Sequence, residues 1–145
     1  MTAQIRPATV ADVAGIFRVR LSVRENHLSL AQLAEMGITE ASITQMIRAA
    51  PCAWVAVEGG AVIGFSMVDL EEGSLFAAFV LPLQEGRGLG KALVLAAEEA
   101  LFGRHPVIWL ETGAASRAAG FYRRLGWGHA QDIGEGDIRL EKRCG

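Results

Sequence analysis

The stretch from Ser74 to Lys91 constrains this chain more than any other part of its sequence. Ser74–Leu81 (SLFAAFVL) is a continuous apolar run, the pattern of a central strand covered on both faces. Pro82 stops it. Glu85-Gly86-Arg87-Gly88-Leu89-Gly90-Lys91 follows, and Leu89, Leu93, Ala96, Ala97 and Ala100 then trace the apolar face of a helix reaching about Gly103. Lys91, Glu98 and Glu99 fall outside that face. A helix N-terminus carries unpaired N–H groups and the positive end of the helix dipole, so it stabilises an anion. Glycines let the backbone turn sharply and let a phosphate approach without a Cβ in the way. Arg87 and Lys91 add positive charge. Glycines this dense at a helix entrance cost stability unless something needs them, and the pattern points to an anion site.

Two familiar phosphate loops do not fit. A Walker loop needs Gly five residues before the Gly-Lys pair and Ser or Thr after it; those positions are Glu85 and Ala92. The dinucleotide fingerprint starting at Gly86 requires Gly where Lys91 stands, and the loop follows a meander instead of opening a βαβ unit.

The rest of the chain reads as a mixed α/β order. A short strand starts at Ile5 and ends at Pro7. Thr9 caps a helix with Asp12 at the capping-box position, and Val13, Ile16, Phe17 and Leu21 share its apolar face. Helical segments follow at Ser29–Met36, ending at Gly37, and at Thr39–Ala49, ending before Pro51. Strands are expected at Ala53–Glu58 and Ala61–Asp69 around a Gly59-Gly60 hairpin, and Glu71-Glu72-Gly73 turns the chain into Ser74–Leu81. Val107–Glu111 is another strand, Ser116–Leu125 a helix closed by Gly126, and short strands lie at Trp127–Gln131 and Asp137–Lys142.

Composition removes several classes. At 145 residues the chain is sized for one compact domain burying about 70% of its unfolded surface. A net charge of -2 supplies no field for nucleic acid or anionic membrane. No apolar run approaches the ~20 residues that span a bilayer, and MTAQIRPATV lacks the apolar region of a signal peptide; a cytoplasmic protein is expected. Cys52 and Cys144 match no metal or redox spacing. They read as free thiols, and no metal is expected.

Phe79-Val80-Leu81-Pro82-Leu83-Gln84-Glu85-Gly86-Arg87-Gly88-Leu89-Gly90-Lys91-Ala92-Leu93 resembles the acetyl-CoA signature of the GCN5-related N-acetyltransferase (GNAT) family. Phe121-Tyr122-Arg123-Arg124-Leu125-Gly126-Trp127 is similar to that family's second motif, and Ile5-Arg6-Pro7-Ala8 and the element order fit as well. The resemblance covers nearly the whole chain. It implies a GNAT-like, mostly antiparallel central sheet, splayed at the strand before the pyrophosphate loop, with helices on both faces. It also implies that residues 1–145 form a single N-acetyltransferase domain.

Carried over by position, the resemblance implies that the backbone of Ala78, Phe79 and Val80 pairs with the pantetheine arm of acetyl-CoA like an added strand. The amides of Gly86, Arg87, Gly88, Leu89, Gly90 and Lys91 are expected to hold the pyrophosphate. Glu85 replaces the usual Gln or Arg, and its carboxylate should point away. Tyr122, the single tyrosine, stands where the family places a phenol beside the sulfur and is expected to be the general acid; a core tyrosine with a rim hydroxyl is the competing reading. The family often has Asn seven residues before that tyrosine, where this chain has Ala115. Ser116 supplies the cofactor contact or simply caps the helix. A strand amide near Val80 should polarise the thioester carbonyl.

No general base is identifiable; Asp69, Glu71, Glu72 and Glu111 are candidates at strand ends, and His27 reads as solvated or structural. The acceptor should be read by the segment from about Ser22 to Ala50. There Arg24, Glu25, Asn26 and His27 suggest a small polar amine more than a protein amine. No cysteine lies in either motif, so direct attack in a ternary complex is expected over a covalent acyl-enzyme. The alternative is an acyl-CoA-binding regulatory module without turnover. A homodimer is possible.

Overall fold

The structure, a computed structural model, describes residues 3–24 and 27–144. Seven strands form one sheet: β1 (Gln4–Pro7), β2 (Ala53–Glu58), β3 (Ala61–Asp69), β4 (Ser74–Val80), β5 (Val107–Gly113), β6 (Gly128–Gly134) and β7 (Asp137–Arg143). Their order across the sheet is β1-β2-β3-β4-β5-β7-β6. Every neighbouring pair is antiparallel except β4 with β5. The helices are α1 (Val13–Ser22), α2 (Leu30–Glu35), α3 (Glu40–Ala49), α4 (Leu89–Phe102) and α5 (Arg117–Arg124). No helix of the described residues is long and apolar enough to cross a membrane.

Period-two alternation sorts β3 and β4 between the two helical layers. Phe65, Met67, Ala77 and Phe79 face a cavity that Ile16 and Phe17 of α1 and Ile43 of α3 also line. On the other face Val80 packs with Leu89 and Leu93 of α4, and the buried Ser66 hydroxyl donates to the Leu93 carbonyl at 2.9 Å. Val19, Val55, Leu93, Val94, Leu101, Ile108 and Leu140 are fully buried. Each of these side chains contributes about 1.5–3 kcal/mol by leaving water.

Local signals account for most helix starts. Ser29 and Gln32 form a reciprocal capping box at α2, and Thr39 and Ser42 do so at α3. At the first helix, Thr9 precedes a 3-10 turn, Val10–Asp12, before α1 begins. The Thr9 N–H donates to Asp12 at 2.7 Å, and the Arg6 guanidinium donates to both carboxylate oxygens, at 2.8 and 3.0 Å. Those Arg6 bonds hold the Asp12 carboxyl below its ordinary range against the opposing effect of burial.

Three features depart from the expectations. The Ser74–Leu81 run is not evenly buried: Phe76 is 43% exposed, because it is the extra residue of a bulge between the Met67–Ala77 and Val68–Leu75 pairs. Glu98, expected outside the apolar face of α4, is buried; it accepts from the Trp127 indole at 3.1 Å and from Lys142 Nζ at 2.7 Å. Only the partners from β7 and from the residue before β6 make that burial tolerable. Finally, Trp127 is a core residue, and the strand expected at Trp127–Gln131 runs from Gly128 to Gly134.

Candidate active site

The site begins where the sheet opens. β4 and β5 share one register pair, Ser74 with Trp109, next to a bond from the Trp109 N–H to the Gly73 carbonyl at 3.1 Å. Beyond it the two parallel strands separate, which is the splay the resemblance implied. The Leu81 N–H donates to the Ile63 carbonyl at 2.9 Å, so in the antiparallel β3–β4 ladder Phe79 and Ala77 are also hydrogen-bonded partners of β3. By alternation, Ala78 and Val80 turn their N–H and C=O groups toward the gap. This corrects the expectation that Ala78, Phe79 and Val80 all offer main-chain groups there. Phe79 spends its own on Phe65 and contributes its ring to the opposite face.

After β4 the chain makes a 3-10 turn, Pro82–Gln84, and enters the glycine loop. Gly86 and Gly88 have φ of 81° and 79°, a left-handed conformation that side chains with a Cβ rarely adopt. Gly88 is the residue at the cap of α4, and no side chain caps that helix. The first intrahelical bond runs from the Ala92 N–H to the Gly88 carbonyl at 3.1 Å. The N–H groups of Leu89, Gly90 and Lys91 therefore lie ahead of the intrahelical ladder. Leu89 is buried, so its side chain packs in the core while its amide stays at the helix end.

These amides border a cleft of ≈ 710 Å³ between the start of α4 and α5, a volume typical of ligand sites. Lys91 lines it; Arg87 does not. The Arg87 guanidinium instead pairs with both carboxylate oxygens of Glu58 and with Gln84, so its charge is turned to the β2–β3 hairpin and only its main chain remains for the loop. Glu85 also differs from expectation. Glu85 lines the cleft, and its carboxylate lies 3.5 Å from Arg117 Nη2 on the α5 wall, whose guanidinium offsets its charge. Arg117 and Arg124, both lining the cleft, were not singled out in the sequence. Their signal was a seven-residue spacing, which puts both on one face of a two-turn helix.

Ser116 caps α5. Its hydroxyl accepts from the Ala119 N–H at 3.2 Å and donates to the Gly113 carbonyl at 2.7 Å, and the residue also lines the cleft. Tyr122, on the same helix, is 8% exposed. Its ring meets Phe121 and Trp127 edge-on, with centroids 5.3 and 6.0 Å away. Burial pushes its phenol up to about 12, so it carries its proton at every ordinary pH. Among the described residues no hydrogen bond engages the hydroxyl.

On the other face of β4 lies a second cavity, ≈ 190 Å³. Phe17, Leu33, Phe65, Met67 and Phe79 dominate its wall, with Arg20 the charged member. Arg24 and His27 are exposed and lie outside this lining; Glu25 and Asn26 lie outside the described residues. Of the candidate bases, Asp69 accepts from the Glu71 and Glu72 N–H groups at 3.1 Å each, closing a turn. Glu111 pairs with Arg139 at 2.9 Å. Cys52 is buried, Cys144 exposed, and both are free thiols.

An open strand edge running into an uncapped helix entrance, inside a sheet splayed at one parallel pair, defines an α/β protein with one continuous run of open main-chain groups. The model of the Acetyltransferase (GNAT) family matches residues 16–127, and the chain belongs to that family. No curated protein sequence matches it significantly. Among solved structures it is similar to the PaiA N-acetyltransferase of Thermoplasma acidophilum in complex with coenzyme A, with a TM-score of 0.79 and 17% identity over 99% of this chain and 100% of that one. It is also similar to a phosphinothricin acetyltransferase of Sinorhizobium meliloti in complex with AcCoA, with a TM-score of 0.74 and 22% identity over 100% and 90%. A third similar structure is the ribosomal-protein-S18-alanine N-acetyltransferase of Escherichia coli, with a TM-score of 0.71 and 20% identity over 98% and 94%. At these identities the likeness speaks for the fold.

Proposed function

We propose that the chain transfers the acetyl group of acetyl-CoA to the primary amine of a small molecule by direct attack in a ternary complex. The observation that carries this reading is the continuity of one open main-chain edge, Ala78 and Val80, with the uncapped amides that follow Gly88. The first receives the amide-bearing pantetheine arm as an added strand, and the second receives the pyrophosphate, with Gly86 completing the turn and Lys91 adding charge. Ser116 and the main chain of Arg87 complete the contacts.

In the reaction the amine nitrogen, neutral when it attacks, forms a bond to the thioester carbon. The Val80 N–H stabilises the charge developing on the carbonyl oxygen. The carbon–sulfur bond breaks, the thiolate takes the Tyr122 proton, the new amide nitrogen releases one to water, and the phenolate regains one from water. A phenol held at about 12 is protonated at the start, as an acid must be; because an ordinary thiol lies at about 8.5, transfer to the thiolate is uphill and is completed by reprotonation of the phenolate from water.

Two measurements test the reading. Acetyl-CoA is expected to raise the melting temperature in a concentration-dependent way, because a ligand of the native state stabilises by mass action. Incubation with acetyl-CoA and an amine panel is expected to release free thiol. Stabilisation without thiol release from any amine favours a regulatory acyl-CoA-binding module; no stabilisation at all sinks both.

A further inference from the structure

The cleft at the start of α4 holds more room and more positive charge than a pyrophosphate uses. Its ≈ 710 Å³ continue from the amides after Gly88 along α5, whose Arg117, Gly120 and Arg124 line the other wall. The walls come close at one place, where a Cβ on Gly90 would stand 3.6 Å from the Phe121 ring. The α5 face therefore stands against the helix entrance. Among the described lining residues, Lys91, Arg117 and Arg124 are cationic and Glu85 is the one carboxylate.

Two residues of α5 are not explained by the fold. Gly120 lies inside this helix of 8 residues and is not one of the glycines at positive φ, so its backbone does not require glycine. Packing does not require it either. The nearest atom to a Cβ placed there is Arg124 Nη1, at 3.5 Å, the far end of a flexible side chain. Glycine is among the poorest helix formers, and what it provides here is room for a ligand to lie close against the helix backbone. Arg124, one turn further on, shares that face and reaches back over the glycine. It is exposed, and none of the ion pairs among the described residues includes it. Arg117, by contrast, already pairs with Glu85.

Coenzyme A carries a group that fits this remainder. Beyond its pyrophosphate comes an adenosine whose ribose bears a 3′-phosphate monoester, close to doubly charged near neutral pH. Resting on the acetyl-transfer reading above, we infer that α5 reads the nucleotide end of the donor, with the adenosine over Gly120 and Arg124 donating to the ribose 3′-phosphate. A guanidinium and a phosphate pair through parallel charge-assisted hydrogen bonds. The loop amides and Lys91 suit any pyrophosphate ester. Arg124 makes the site prefer coenzyme A to the same molecule without its 3′-phosphate, a donor-specificity contact at the far end of the ligand from the thioester.

The test measures binding of coenzyme A and of 3′-dephospho-coenzyme A by calorimetry, to the unaltered protein and to two variants. The unaltered protein is expected to prefer coenzyme A by about tenfold, the scale of one charge-assisted contact. Because Arg124 is exposed, that preference should shrink toward about 1 M salt, where the screening length falls to about 3 Å. Arg124→Gln is expected to bind the two ligands within about twofold of each other, with 3′-dephospho-coenzyme A at its parental affinity. Gly120→Leu fills the room over the helix and is expected to weaken both ligands by about tenfold or more. Its melting temperature without ligand should be no lower than the parent's, since leucine is the better helix former. Equal affinity of the unaltered protein for the two ligands overturns the inference whether or not either variant folds, and acyl-CoA binding then stands. So does an Arg124→Gln protein that keeps the preference or weakens both ligands alike, and so does unimpaired binding by Gly120→Leu. Failure of the unaltered protein to bind either ligand removes the acetyl-transfer reading instead.

Discussion

The two cavities on either side of β4 are built from different materials. The α4 wall of the cleft is made of main chain: glycines at left-handed φ, an uncapped helix end, and a strand edge left open by the splay. The cavity under Phe79 is made of side chains from α1, the segment after it, α3, β3 and β4. Main-chain sites need a particular backbone shape, so they tolerate almost any side chain except at the glycines that permit the shape. Side-chain sites tolerate backbone variation and depend on which residues happen to converge. On the proposed reading the first would hold the donor, and the second is free to differ from one chain to another.

Substitutions can break that contrast, and the largest effect is expected at the proposed general acid. Tyr122→Phe should lower kcat about 100-fold or more, the range of a lost general acid, with the KM for acetyl-CoA held within about threefold. Steady-state kinetics with full turnover in the variant would remove Tyr122 from the chemistry. The same phenol also predicts a pH signature. Its native value of about 12 lies above the ordinary 10.0, so its contribution is intact below pH 10 and is lost as pH rises through 12. Relative to Tyr122→Phe, the unaltered protein should lose up to about 2–3 kcal/mol across that window in denaturant titrations.

Next comes the backbone itself. Gly88→Val forces a β-branched residue to φ near 79° and is expected to weaken coenzyme A binding about 30-fold by calorimetry, from strain of about 1–3 kcal/mol. An unchanged affinity would mean that the loop does not receive the pyrophosphate. Glu98→Ala is expected to destabilise the fold by about 2–3 kcal/mol while leaving coenzyme A affinity near that of the parent. It strands the Trp127 indole N–H and the Lys142 ammonium. Smallest is Arg87→Ala. Because Glu58 already holds that guanidinium, coenzyme A affinity should fall by no more than about threefold, as for exposed pairs. A loss of tenfold or more would show that Arg87 leaves Glu58 for the ligand.

Much of the fold was readable because its signals are local. Thr39 and Ser42 mark the start of α3, Gly59-Gly60 closes the β2–β3 hairpin, and the Leu89–Leu93–Ala97 stripe belongs to α4 in the structure as in the sequence. The glycine loop was readable for the same reason, since its conformational requirement falls on consecutive residues. The readings that changed depend on partners distant in the chain. Glu98 looks like a solvated helix residue until Trp127 and Lys142 arrive beside it. Arg87 looks like a phosphate ligand until the hairpin delivers Glu58. Phe79 could not be separated from Ala78 and Val80 without the register of β3 against β4. Arg20 sits in the helical pattern of α1 with nothing nearby to say that it faces a cavity.

By itself, then, the chain determined what short-range physics can determine: where the backbone must turn, which residues cap helices, which stripes are apolar, and that one glycine-lined helix entrance suits an anion. The tertiary structure alone decided which charges are neutralised, which strand edge is left open and what the cavity under Phe79 is made of. Hydrogen bonding along a helix or turn acts between neighbours in the chain. Burial, ion pairing and register act between neighbours in space, and a linear pattern does not record those.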